Sequence, residues 1–571
     1  MPQHGFQHMS THHFFLPLVL ATAAGASAQT SIYTLNGSEN GELYGRAVEI
    51  LSDLDGDGFD DFIVGRPKDS TVAPSAGAIS VVSGQTGMIT GTVYGDALDE
   101  YLGWSIAAAG DVNADGTVDF VAGAPSQCGT GLVGYARVFS GADLSTLHTT
   151  VGDSYLDWYG CSVSGAGDQN FDGHSEFAVG AHQFCGGFEL NGYVRAYSGV
   201  DGSERWTATG SNKWDAFGWK VELLGDYDKD GVPDLLIGSP GNDAAGYDAG
   251  RFFLTSGVDG STLHMENGEA GLHYSGWSLA GLGDANLDGT LDYAIGVPGE
   301  QDNFPGDDPH PAEFGKVQIH DGATNTVLHE VIGPNILDHL GWSIANVGDL
   351  DLDGHPEVAA AATRYDIQTT KISLGPAYID IVSTASGEVI EHLEGPANNE
   401  NYQVDLGSGG DVNGDGVPDL IFGSEGLSET AGLVCVYSGR ELPLSSDLHL
   451  MPVTGSLKQE LTIASEEFDG FPYQVIGSLS GATPGFWLGG VQVPINPDAY
   501  TLFTFDPPSG AVLKHSSGTV GVGKSVATFK PPTELALGIV GETVHHALLI
   551  LDPFTGEVVH ASNAVPGTLV P

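Results

Sequence analysis

Hydrophobic residues along this chain fall in short runs such as Phe62-Ile63-Val64, Ala78-Ile79-Ser80-Val81-Val82 and Leu235-Leu236-Ile237, each soon broken by Gly, Pro, Asp, Asn or Ser. Short β-branched and aromatic runs between turn formers predict strands, and no segment sustains the 3.6-residue period of a long helix. The runs belong to a larger unit. An acidic string, Asp53-Leu54-Asp55-Gly56-Asp57-Gly58-Phe59-Asp60-Asp61, has equivalents opening at Asp111, Asp168, Asp226, Asp284, Asp349 and Asp411, at spacings of 58, 57, 58, 58, 65 and 62 residues. Upstream stands an aromatic or apolar residue plus Gly: Tyr44-Gly45, Leu102-Gly103, Tyr159-Gly160, Phe217-Gly218 and Leu340-Gly341, with Leu406-Gly407 read as the irregular seventh. Each unit closes on a run such as Gly134-Tyr135-Ala136-Arg137-Val138-Phe139-Ser140-Gly141, the last ending at Gly439.

Four short strands per unit, repeated seven times, predict an all-β fold: a seven-bladed β-propeller with four-stranded blades. A solenoid would need capping repeats at its ends. Here the ends look like halves of one blade. Ser31–Gly37 precedes Tyr44-Gly45 as Leu147–Gly152 precedes Tyr159-Gly160, and no such strand follows Gly439, so the N-terminal strand is expected to complete the seventh blade. The propeller is assigned to 29–442. A β-rich, β-sandwich-like domain is expected over 447–571. Residues 1–28 read as a signal peptide, with an apolar stretch from Phe14 to Ala24 and a small-x-small site at Ala26-Ser27-Ala28, although His4, His8, His12 and His13 stand where Lys or Arg is usual. The mature protein is therefore expected to be secreted, extracellular or attached to a cell surface.

Within each string, oxygen-bearing side chains occupy positions 1, 3, 5 and 9, with Gly at 6 for the sharp turn. The candidate metal ligands are Asp53, Asp55, Asp57 and Asp61; Asp111, Asn113, Asp115 and Asp119; Asp168, Asn170, Asp172 and Glu176; Asp226, Asp228, Asp230 and Asp234. The remaining three strings supply Asp284, Asn286, Asp288 and Asp292; Asp349, Asp351, Asp353 and Glu357; Asp411, Asn413, Asp415 and Asp419. Calcium takes six to eight hard oxygens, and alternate residues of a tight loop can aim at one centre, with a carbonyl from position 7. An EF-hand would end in Glu at position 12 between helices; these strings run into strands instead. Composition agrees. Asp and Glu number 74 against 18 Lys and Arg, a formal net charge of -56, which disfavours nucleic acid and anionic membrane partners and suits bound cations. Up to seven structural Ca2+ ions would bring fourteen positive charges to the 24 acids at ligand positions.

Catalytic constellations are absent from the reading. Gly477-Ser478-Leu479-Ser480-Gly481 misses the nucleophile-elbow spacing, and His545-His546 reads as a core pair. Trp104, Trp219, Trp277 and Trp342 all follow the blade-opening Gly and read as one packing position, with stacking on a sugar as the alternative. Among the cysteines, Cys161 with Cys185 is the expected disulfide if one forms, Cys128 is the other candidate, and Cys435 is expected free.

The paired opening motif and acidic loop resemble FG-GAP repeats, the blades of the integrin α-subunit propeller. That resemblance implies a seven-bladed fold, calcium on the lower face and partner binding on the upper face; loops acidic in all seven blades depart from the usual integrin pattern. The segment with Ile476–Gly485, Pro494–Asp498 and Ser562–Pro566 resembles a C-terminal module of exported planctomycete-type bacterial proteins, which carries no known role. The functional expectation is a non-enzymatic, exported calcium-binding scaffold for binding or adhesion, monomeric, taking a protein or glycan. A propeller-borne hydrolase or lyase, or a glycan-binding lectin, is the alternative. The long fifth and sixth spacings place insertions at Pro298–Phe314 and Thr363–Leu374, the expected partner surface.

Overall fold

A computed structural model describes residues 31–439 apart from 127–129, 184–190, 300–313, 336, 352, 364–376, 395–403 and 426–430; beyond 439 it assigns only strand segments, with no side chain described. The expected signal peptide and β-sandwich-like domain therefore lie outside the described residues.

Seven four-stranded antiparallel sheets follow one another in chain order. The chain begins with β1 (Ser31–Asn36) and then forms blade 1 from β2 (Val48–Ile50), β3 (Phe62–Arg66), β4 (Ala78–Val82) and β5 (Ile89–Tyr94). Blades 2 to 6 are β6–β9 (105–151), β10–β13 (162–209), β14–β17 (221–267), β18–β21 (278–332) and β22–β25 (343–394). Blade 7 consists of β26 (Val404–Leu406), β27 (Leu420–Ser424), β28 (Leu433–Tyr437) and β1, which pairs antiparallel with β28 from Asn36↔Leu433 to Ser31↔Tyr437. The N-terminal strand thus closes the ring, as the sequence predicts. No α-helix is present among the described residues.

The core lies between blades rather than within them. Each of seven clusters of buried apolar side chains joins two neighbouring blades, the seam included, where Tyr44, Val48 and Phe62 meet Ile421, Val434 and Val436. This explains the strand patterns. The second strand of a blade, such as β11 (Glu176–Ala181) or β19 (Asp292–Val297), is covered on both faces and buried at every position. The outer strands β9 (Thr146–Val151) and β17 (Thr262–Asn267) keep exposed positions. The opening glycines are required by close approach: Gly160 has φ 88°, and a Cβ on Gly123 of the preceding blade would lie 1.9 Å from the Gly160 carbonyl oxygen.

In blade 7 the structure corrects the sequence register. Leu406 pairs with Phe422 inside the innermost strand, five residues before the loop opener Asp411, as Ile344 pairs with Ala360 before Asp349. The position of the blade-opening Gly therefore falls at Gln403, outside the described residues. Gly407 follows the strand instead, and the glycines around Ser408 cut that strand short. The long connections of blades 5 and 6 lie between β19 and β20 (Lys316–Asp321) and between β23 (Glu357–Ala362) and β24 (Tyr378–Ser383), where the sequence places the insertions. Most of their residues lie outside the described set.

Candidate functional site

Each acidic string forms the hairpin that joins the first and second strands of its blade, so all seven loops lie at one end of the ring. Three hydrogen bonds recur in every loop. The position-6 Gly amide donates to the position-1 carboxylate at 2.7 to 3.0 Å. The position-7 amide donates to the position-5 carboxylate at 2.8 to 3.0 Å. The position-5 amide donates to the side chain at position 3 at 2.9 to 3.2 Å. These bonds are local Asx-type turns, which is why alternating Asp and Asn fold this way without outside help.

The turns bring the first three side chains together. In the loops with Asp at position 3, the carboxylate oxygens of Asp53, Asp55 and Asp57, of Asp226, Asp228 and Asp230, and of Asp349, Asp351 and Asp353 lie within 4.8 Å of one another. In the other four loops position 3 is Asn113, Asn170, Asn286 or Asn413, an amide oxygen in the same turn. The donor set fits a hard divalent cation, being made only of carboxylate and amide oxygens. It also leaves Oδ1 of Asp226, Asp284 and Asp349 buried without a hydrogen-bond donor, a costly state for a carboxylate unless a cation meets it.

Position 9 differs. Asp61, Asp119, Glu176, Asp234, Asp292, Glu357 and Asp419 are all 0 to 1% exposed. One oxygen accepts a loop amide and the other accepts the amide of the Gly ending the third strand, as in Asp292 with Asn286 (3.0 Å) and Gly322 (2.8 Å). Asp61, Asp119, Asp234 and Asp419 make the same pair of contacts. This carboxylate therefore ties the loop to the rest of the blade. Burial pushes Asp234 up to about 6 and both Glu357 and Asp419 up to about 8. In Glu357 one oxygen, Oε1, is buried without a donor. Neighbouring loops are also joined: His174 Nδ1 lies 2.8 Å from Val112 O, His355 Nδ1 lies 2.6 Å from Ala285 O, and across the seam Asp60 N donates to Asp411 O at 3.1 Å.

At the opposite end of the inner strands the tryptophans form an arc. Ring centroids are 5.4 Å apart for Trp104 and Trp158, 4.5 Å for Trp219 and Trp277, and 4.8 Å for Trp277 and Trp342. His182 bridges Trp158 and Trp219 at 5.2 and 4.8 Å, and burial pushes it down to about 3, so it is neutral. Arg46 lies 4.4 Å over Trp104 and 3.3 Å from Glu425, which brings blades 1 and 7 into the arc. The sequence signal covers four of these rings. It misses Trp158, which stands three residues before Cys161, the blade-3 residue at the tryptophan position, and it misses His182 and Arg46. Cys161 carries a free thiol that donates to Gly180 O at 3.4 Å, rather than the expected disulfide, and Cys435 is free and buried. Cys128 and Cys185 lie outside the described residues.

Comparison with known proteins agrees with this geometry. The FG-GAP repeat model matches residues 44–82 and 217–254, two blades with their loops. Integrin alpha-5 of Xenopus laevis is 32% identical over 218 residues, covering 35% of this chain and 20% of that protein. Integrin alpha-V of Gallus gallus is 28% identical over 221 residues, covering 34% and 20%. Integrin alpha-8 of Mus musculus is 33% identical over 150 residues, covering 25% and 14%. The described residues thus form a seven-bladed β-propeller, two of whose blades match the FG-GAP repeat. More particularly, the propeller is similar in sequence to part of these integrin alpha chains, and the matched region spans about a fifth or less of the length of these relatives.

Proposed function

We propose that this chain is an exported, calcium-binding propeller that serves as a non-enzymatic binding or adhesion scaffold. The observation that carries the reading is the convergence of oxygen side chains in the same loop geometry, repeated in register around the ring. The ligands proposed are the side chains at positions 1, 3, 5 and 9 of each string. Calcium bound there neutralises carboxylates that otherwise repel one another, and its role is structural. The loops occupy one end of the ring, which leaves the end bearing the tryptophan arc and the second-to-third-strand connections for a partner. The tryptophans are half-buried and pack on one another at 4.5 to 5.4 Å, so little ring face is left to stack on a sugar. This favours a protein partner over a glycan.

Thermal unfolding of the full chain in about 10 mM calcium and in EDTA tests the reading. With dissociation constants of about 0.1 to 1 mM, each filled site contributes about 1.4 to 2.7 kcal/mol at 10 to 100 times Kd. Several sites together should raise the midpoint by roughly 10 °C or more over the chelated protein. An unchanged midpoint would overturn structural calcium.

A further inference from the structure

A second group of ligand-type side chains stands between blades 4 and 5, far in character from the acidic loops. His264 and Glu266 are two residues apart on β17 and so share one face of the strand. They pair with Leu254 and Phe252 of β16 (Arg251–Thr255), whose side chains pack on blade 5. From β20 of blade 5, His320 enters the same interface fully buried, stacked on Tyr293 at 5.0 Å and edge-on to Phe252 at 5.4 Å. Oε2 of Glu266 lies 3.9 Å from His264 Nε2 and 4.0 Å from His320 Nδ1. Those separations are too long for hydrogen bonds. Nε2 of His264 and both ring nitrogens of His320 are buried with no hydrogen-bond partner.

His320 departs from what the other blades carry at the same register, and His264 departs from three of its counterparts in the contact it makes. Opposite the ninth residue after each loop opener, where blade 5 has His320, the other blades have Val82, Phe139, Tyr197, Thr255, Val382 and Tyr437. A fully buried imidazole with no partner loses the hydration of both ring nitrogens with nothing in return, a loss that Val82, Phe139 and Val382 at this position avoid. On the outer strand, three of the six counterparts of His264 reach the next blade: Tyr33 to Gly84 O at 2.7 Å, His148 to Gly199 O at 2.5 Å and Trp206 to Gly257 O at 2.9 Å. The matching carbonyl for His264 is Gly322 O, which instead accepts from the Tyr227 hydroxyl at 3.0 Å. His264 thereby lacks the contact that these three counterparts make.

We propose that His264, Glu266 and His320 form a site for a divalent transition metal of the zinc type that clamps blade 4 to blade 5. Two imidazoles and one carboxylate suit zinc, whereas the calcium loops offer oxygen alone. Burial keeps His320 neutral, the form that ligates, and so it makes no ion pair with Glu266 at neutral pH. The side chains of His264 and Glu266 are 31% and 40% exposed, which gives the metal an entry path and leaves the pair free to rotate inward. A tetrahedral ion with bonds of about 2.0 to 2.2 Å needs donors roughly 3.3 to 3.5 Å apart, so Glu266 must close by about half an ångström on each histidine and the part-exposed His264 must swing in further towards the fixed His320 ring.

The test uses the full chain with the loops held at millimolar calcium, so its outcome does not depend on whether those loops bind. Zinc is titrated into wild type, His320→Phe and Glu266→Gln, with cobalt(II) absorption as a spectroscopic probe of nitrogen ligation. His4, His8, His12, His13 and the His545-His546 pair can also take zinc and are common to all three proteins, so the difference is what is read. Wild type should bind one equivalent more than either variant, and zinc should raise its unfolding midpoint by a few degrees more. Phe at 320 restores the aromatic that blade 2 carries as Phe139, so the fold should stand; if it does not, half-exposed Glu266→Gln supplies the same readout. Equal zinc stoichiometry in wild type and the folded variants would defeat the proposal.

Discussion

Two kinds of carboxylate share each acidic loop. Asp230 at position 5 is exposed and accepts one amide, from Val232 at 2.8 Å. Asp292 at position 9 is buried and accepts amides on both oxygens, from two different hairpins. Asp230→Asn keeps a carbonyl oxygen for the turn and removes a charge. It should lower calcium stoichiometry by one, as should Asp230→Ala, while the apo protein of Asp230→Asn stays within about 0.5 kcal/mol of wild type. Asp292→Asn must set its NH2 against a backbone N–H, which leaves a buried donor unpaired and costs on the order of 1 to 3 kcal/mol without any metal. Denaturant unfolding in EDTA separates the two, and equal apo stabilities would show that position 9 is a ligand only. The sequence makes all four positions legible as oxygen donors, because Asx turns are encoded locally. It does not reveal that position 9 also anchors the third strand, since that contact crosses twenty or more residues and depends on strand pairing.

At the level of elements, propeller periodicity survives in the sequence because each blade solves the same packing problem, with a second strand buried on both faces. The closing role of β1 is legible for the same reason: Ser31–Asn36 is an outer strand without a blade of its own. What is not legible breaks the period. The inner strand of blade 7 is cut short by glycines, which shifts its register against Leu406-Gly407, and blade 3 draws its arc residue from Trp158 because Cys161 occupies the repeat position. Removing residues 1–37 should bare the edge of β28 and strip Ile32, Tyr33 and Leu35 from the seam cluster. The expected result is a midpoint lower by roughly 10 °C or more, with aggregation on warming, against a loss of about 1 kcal/mol for Tyr33→Phe, which deletes only the 2.7 Å bond to Gly84. A truncated chain that melts like the intact one would mean that β1 does not latch the ring.

Across the whole molecule, the inner strands bring charges from opposite sides of the ring close to the axis. Glu49 accepts from Ser408 Oγ at 2.6 Å and from Ser408 N at 3.2 Å, and Asp405 accepts from Val48 N at 3.2 Å. From blade 4, Lys220 lies 3.5 Å from Glu222 and is held up, despite its desolvation, by Glu222, Asp405 and Glu49. Three carboxylates thus face one ammonium, and burial pushes Glu49 from 4.5 up to about 7. The folded protein therefore keeps a proton on Glu49 to near neutrality, whereas the unfolded chain releases it near its ordinary value. Between about pH 4.5 and pH 7 the native state binds more protons than the unfolded state, so this group makes stability fall as pH rises and has no further effect above that window. Glu49→Gln has no proton to lose. With calcium present to hold the loop carboxylates constant, the variant should gain about 2 kcal/mol on wild type between pH 4.5 and pH 8, a figure discounted for water in the channel. Denaturant midpoints of both proteins across that range measure the gain, and a constant difference between them would show that Glu49 is ionised throughout and that the axis is wetter than its packing implies.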